Sequence, residues 1–144
     1  MEKIKILWID DDINRSALRP FIDEFNDKGF EIIGAENPDE IDKILAKQQD
    51  IQCIIIDMLM PHGKKISFED SHGGLRTGLK ILKNLKTNTK LDHIKKIVFT
   101  IVDDTNTDIQ SYCVNNDIPY FKKHDYYTDT FVEKIKEILS KATE

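Results

Sequence analysis

The sequence has no basic cluster, no long apolar run and little cysteine, and each shortage removes a class of function. Its net charge is -5 over 144 residues, and no run of Lys and Arg is suited to following a phosphate backbone. Direct binding of nucleic acid is therefore not expected. No apolar stretch approaches the length that spans a bilayer, and Met1-Glu2-Lys3-Ile4 leads straight into a strand pattern. Neither a membrane role nor secretory export is expected. The two cysteines, Cys53 and Cys113, lie inside apolar segments and read as small core residues of a cytoplasmic protein kept reduced. The four histidines are scattered, without the pairing that metal ligands show.

What remains is 40% hydrophobic and 33% charged, ordinary for a globular protein, and the length fits one domain over residues 1–144. Strand patterns run over Ile4–Ile9, Phe30–Ala35, Ile51–Ile56, residues 96–100 and residues 119 to 122 or 123. Helical spacing fills the intervals. Residues 14–28 carry Leu18, Phe21, Ile22 and Phe25 at helical intervals, with Pro20 inside the pattern predicting a kink or a break. Asn37-Pro38-Asp39-Glu40 reads as a helix start with a capping box. A helix from Gly78 buries Leu79, Ile81, Leu82 and Leu85. Residues 103–107 read as a polar loop, and residues 109–114 as a short helix ending near Asn115-Asn116 in a left-handed turn. The last helix, capped by Thr128 or Asp129, carries Phe131, Ile135, Ile138 and Leu139. Five strands alternating with helices predict an α/β fold, a parallel sheet with helices on both faces.

One stretch breaks the rhythm. Residues 62–76 are polar, rich in Gly and Lys and without period, forming with residue 77 an extended loop too long for a usual strand-to-helix connection. It is expected to be mobile, with Lys64, Lys65 and Arg76 the first sites of tryptic cleavage and only Ile66 and Phe68 as apolar anchors.

The stretch around which the chain is organised is Ile54-Ile55-Ile56-Asp57-Met58-Leu59-Met60-Pro61. Three β-branched residues in succession mark a strand buried on both faces, and the acid that follows falls at the strand's C-terminal edge, where open α/β sheets bind ligands. A lone Asp after a strand most often opens a turn. Here the first strand ends in Asp10-Asp11, the fourth in Thr100 and the fifth in Lys122-Lys123, so four strands deliver polar groups to one edge. Clustered carboxylates with open positions suit Mg²⁺, and a carboxylate can accept a phosphoryl group as nucleophile.

These stretches, Ile6-Leu7-Trp8-Ile9-Asp10-Asp11-Asp12, Ile54 to Pro61, Ile97-Val98-Phe99-Thr100 and Tyr120-Phe121-Lys122-Lys123, resemble the response-regulator receiver domain of two-component signalling. The resemblance spans essentially the whole chain. It implies a flavodoxin-like five-stranded sheet in the order 2-1-3-4-5. It also implies Mg²⁺ held by Asp10, Asp11 and Asp57 with the backbone carbonyl of Leu59. Asp57 would be the phosphoacceptor, and Thr100 with Lys123 (Lys122 as the alternative) would bind the phosphoryl oxygens. The implied partners are a histidine kinase or phosphotransfer protein and an output protein of unknown identity. The chain would not be an enzyme in its own right.

Three features depart from the family. His124 stands where a proline usually follows the lysine, and Ile101 stands where a small residue is usual. The loop after the third strand is longer, with Gly74-Leu75-Arg76-Thr77-Gly78-Leu79 similar to a stretch of some stand-alone receivers. Ile101 and His124 support an alternative, a pseudo-receiver that binds protein without being phosphorylated. A further alternative is a haloacid-dehalogenase-like phosphatase, since Asp10-Asp11-Asp12 contains Asp-x-Asp and Asp103-Asp104 mimics a later acidic motif. In that family, however, the lysine precedes the acidic pair.

Overall fold

The structure is a computed structural model and describes residues 3–102 and 107–142. Five parallel strands, β1 (Ile4–Ile9), β2 (Phe30–Ala35), β3 (Ile51–Ile56), β4 (Lys95–Thr100) and β5 (Tyr120–Lys122), form one sheet in the order β2-β1-β3-β4-β5. The flavodoxin-like arrangement expected from the sequence is the one observed.

Strand alternation sorts the apolar side chains into two cores. Ile6, Trp8, Cys53, Ile55, Ile97 and Phe99 face one side, where they meet Phe25 of α1 (Arg19–Asp27) and Phe131 and Ile135 of α6 (Thr128–Ala142). The opposite side carries Leu7, Ile9, Ile54, Ile56 and Val98. They pack with Ile41 of α2 (Ile41–Lys47), Leu79 and Leu82 of α4 (Thr77–Lys86), and Ile109 and Cys113 of α5 (Thr107–Asn115). Because both faces are covered, β3 is apolar at consecutive positions, with Cys53 to Ile56 all buried. Burial pushes the Cys53 thiol up to about 12 and the Cys113 thiol to about 11, which makes both poor nucleophiles.

Several local expectations are corrected. The helical pattern over 14–28 is a series of turns to Leu18 followed by α1. Pro20 falls in the first turn of α1, where a missing N–H costs nothing. Asn37 does cap, its side chain accepting from Asp39 N at 2.9 Å, but it opens a 3-10 turn ahead of α2. Glu40 accepts from Glu36 N, one residue before the capping-box position. The left-handed residue after α5 is Asp117, with φ 55°. At the start of α6 the Thr130 hydroxyl donates to Tyr127 O and accepts from Tyr127 N. Of the polar loop expected at 103–107, residues 103–106 lie outside the described residues, Asp103-Asp104 included.

The larger correction concerns residues 62–76, which pack on the domain. Met60 N donates to Gly74 O, the Thr77 hydroxyl to Met60 O at 2.7 Å, and Gly78 N to Met58 O. Ser67 caps a single helical turn, α3 (Phe68–Ser71), and Ile66 and Ser71 are buried while Phe68 points outward. At the other end the Asp39 carboxylate accepts from Lys64 N and Lys65 N at 2.8 to 3.0 Å. Gly63 permits this approach: its φ is +70°, and a Cβ there would lie 2.6 Å from Asp39 Oδ2. Those backbone donors hold the Asp39 carboxyl below its usual range. The anchor it provides is therefore complete above the carboxylate's unfolded pKa and lost as pH falls through the lowered one. Asp39→Ala should leave the fold intact and accelerate tryptic cleavage after Lys64 and Lys65; an unchanged digestion pattern would mean the segment is held without Asp39.

Candidate functional site

The register of the central strands places two carboxylates side by side. Ile9 pairs with Ile56, and the ladder runs one residue further: Asp10 N donates to Ala35 O and Asp57 N to Ile9 O. Asp10 is fully buried and Asp57 nearly so. Thr100, the last residue of β4, is also buried, and its hydroxyl donates to Asp57 Oδ1 at 2.5 Å. Behind it, Met58 N and Val102 N approach Thr100 Oγ1 at 3.4 Å, and Leu59 N approaches Asp57 Oδ1 at 3.4 Å.

The strand-five lysine that reaches this group is Lys123. Lys122 closes β5 opposite Thr100, and the chain then enters a 3-10 turn that starts at Lys123. This turn brings the Lys123 ammonium to 2.7 Å from Asp10 Oδ2 and 3.2 Å from Asp57 Oδ2. Burial alone would discourage a charge there; the attraction of Asp57 and Asp10 outweighs it and raises the Lys123 pKa. The Asp10 carboxyl is pushed up by burial and then by the Asp57 charge, with Lys123 opposing. Burial and the charges of Asp12 and Asp10 push Asp11 up as well. One ammonium thus offsets only part of the repulsion in the cluster.

Asp10, Asp11 and Asp12 bring carboxylate oxygens within 4.8 Å of one another. The site opens into a cleft of about 420 Å³ whose lining includes Asp11, Asp12, Asp57, Leu59, Ile101 and Lys123. Of the residues singled out in the sequence, Asp10, Asp57, Thr100 and Lys123 form one hydrogen-bonded network, and Asp11 and Leu59 border it. Sequence reasoning did not place Asp12 in the metal set, although it is visible as the third carboxylate of its run. It also missed Leu18 and Phe21, read there only as helix-face residues; with Ala17 and His124, the latter noted only as a departure from the family, they complete the cleft wall. Phe21 contacts Trp8, centroids 6.4 Å apart. Trp8 is buried among aromatic rings, its indole N–H without a hydrogen-bond partner among the described residues.

No protein-family model matches the chain, and no curated protein matches its sequence. Solved structures do match. A signal receiver domain of an HD domain-containing protein from Pseudomonas fluorescens Pf-5 superposes with TM-score 0.73 at 12% identity, covering 99% of this chain and 98% of that one. A response regulator receiver domain protein from Clostridium thermocellum gives TM-score 0.67 at 23% identity, covering 97% of each chain. A response regulator from Thermotoga maritima gives TM-score 0.68 at 19% identity, covering 96% of this chain and 98% of that one. The chain has the fold of response-regulator receiver domains. Among the described residues no helix is long and apolar enough to cross a membrane.

Proposed function

We propose that the chain is a phospho-accepting receiver of two-component signal transduction, in which phosphorylation of Asp57 switches a partner-binding face. The observation that carries this reading is a single carboxylate, Asp57, addressed by a hydroxyl and an ammonium at the floor of an open cleft. An Asp57 oxygen attacks the phosphorus of the donor, a phosphohistidine of a kinase or phosphotransfer protein or a small acyl phosphate. A new O–P bond forms as the P–N or P–O bond to the donor breaks, and the leaving group keeps the electron pair. Thr100 and Lys123, which now engage the two Asp57 oxygens, then hold the phosphoryl oxygens. The all-oxygen donor set suits Mg²⁺ held by Asp10, Asp11, Asp57 and the Leu59 carbonyl, with Asp12 adjacent. When bound, Mg²⁺ neutralises charge on the transferring group. Thr100 leads into the segment before α5, and the Tyr120 hydroxyl donates to Val102 O at 2.9 Å. A displacement of Thr100 would act on Val102 and, through this hydrogen bond, on Tyr120 of β5. Incubation with acetyl phosphate and Mg²⁺, reduction with borohydride and peptide mapping test the assignment: Asp57 alone should be converted. Conversion of another residue would overturn it, and no conversion would favour the pseudo-receiver reading, which Ile101 at the cleft mouth supports.

The cation has its own test. Asp10 and Asp11 have raised pKa values, so the stability their neutral forms contribute is present below the unfolded pKa and is lost as pH rises through the folded one. At neutral pH a bound cation should restore it. With Mg²⁺ at about ten times its Kd, unfolding should become harder by about 1.4 kcal/mol, and Trp8 fluorescence should change through Phe21. Asp11→Ala should weaken both responses; equal Mg²⁺ affinity in the two proteins would remove Asp11 from the site.

A further inference from the structure

Charge is segregated along this acidic chain. Residues 76–96 hold seven of the 21 Lys and Arg but one of the 26 Asp and Glu, leaving 14 basic against 25 acidic residues elsewhere. The sequence offers no run suited to a phosphate backbone; folding nevertheless gathers part of this segment on one surface. Lys80, Lys83 and Lys86 lie on α4 at three-residue intervals, a row roughly 9 Å long. It borders α5. The Lys83 ammonium stands 5.6 Å from the centroid of the Tyr112 ring, and the Lys86 ammonium donates to Asn116 Oδ1. Between α4, α5 and the start of β4 lies a groove of about 220 Å³ lined by Lys86, Asp92, Lys96, Tyr112 and Asn116. Lys96 extends into it from β4, on the Val98 face of the strand, and donates to Leu91 O at 2.5 Å. Burial lowers its pKa, outweighing the opposing charge of Asp92.

We propose that this α4–α5 face docks an acidic segment of a partner protein, one of whose carboxylate side chains enters the groove between Lys86 and Lys96. The row is longer than a small anion can cover, and an apolar ring beside it suits a polypeptide. The remainder of the chain, with its excess of carboxylates, repels a phosphate backbone. Among the described residues, Asp70 shares a pocket with Lys80 and Lys83, Asp92 lines the groove with Lys86 and Lys96, and Asp108 pairs with Arg76; these three carboxylates face five basic groups. The surface is separate from the Asp57 cleft, so the proposal holds whether or not Asp57 is phosphorylated.

The test uses the full chain and a fluorescein-labelled oligoglutamate peptide at low ionic strength. Amide shifts should centre on Lys83, Lys86, Lys96 and Tyr112. The double variant Lys83→Glu/Lys86→Glu should weaken binding at least about tenfold, equivalent to ~1.4 kcal/mol. Lys96→Met, which removes the groove ammonium at similar volume, should also weaken it. Lys134→Glu/Lys136→Glu on α6, an identical change in net charge at exposed positions, should leave affinity nearly unchanged. Equal weakening by the two double variants, tighter binding of a duplex DNA oligonucleotide, shifts centred on Asp10 and Asp57, or no binding would each overturn the proposal.

Discussion

Ile101→Ala should accelerate both phosphorylation of Asp57 by acetyl phosphate and loss of the phosphoryl group after the donor is removed, each by about tenfold, or ~1.4 kcal/mol of barrier. Ile101 follows the Thr100 that touches Asp57, is 51% exposed, and lines the cleft. It does not pack into the core. Its β-branched side chain has little freedom at χ1, and the approach of Val102 N to Thr100 Oγ1 steadies the backbone beneath it. Val102 packs against the apolar cluster under α4 and α5; besides Ala17, Leu18 and Phe21, the apolar groups at the cleft are Leu59 and Ile101. Neither orients a water for attack on an acyl phosphate. The wild-type protein is therefore expected to gain and lose phosphate slowly. Unchanged rates in the variant would show that access is not limited here; a change in only one rate would separate donor entry from hydrolysis.

Gly78→Ala should destabilise the protein by about 3 kcal/mol and disable the site with it. A Cβ at this position would lie 2.2 Å from Asp57 O and 2.7 Å from Met58 Cα. Both are backbone atoms of the chain leaving β3, so no rotamer change can relieve the clash. Gly78 N also donates to Met58 O, so the start of α4 is pinned to the segment that carries the phosphoacceptor. Relief by moving α4 outward would expose Leu79 and Leu82; relief by moving Asp57 would break its contacts with Thr100 and Lys123. Chemical denaturation of the two proteins measures the first cost, and the phosphorylation yield of the folded fraction measures the second. A variant of wild-type stability would contradict the close approach.

The sheet was legible because its signal is redundant. Apolar residues on consecutive positions of β1, β3 and β4 leave no reading but strands covered on both faces, and their polar terminal residues mark one edge. Pro20 was legible as a break and misplaced only in its consequence, since a first-turn proline starts α1 instead of kinking it. The segment 62–76 was not legible. What holds it is a carboxylate accepting from backbone N–H groups about 25 residues away in sequence and hydroxyl bonds from Ser67 and Thr77. None of these leaves a period. Of the two anchors hydrophobicity suggested, Ile66 is buried but Phe68 is 68% exposed, while the polar Ser71 is fully buried. Counting along the last strand left Lys122 and Lys123 open, because the choice depends on where β5 ends and the next turn begins.

The central claim, that Asp57 accepts a phosphoryl group in this cleft, is tested most directly by intact mass after incubation with acetyl phosphate and Mg²⁺. Wild type should gain the mass of one phosphoryl group and lose the gain when a chelator replaces Mg²⁺ during labelling; Asp57→Asn should gain nothing. An unmodified wild type, or equal labelling of Asp57→Asn, would contradict the account.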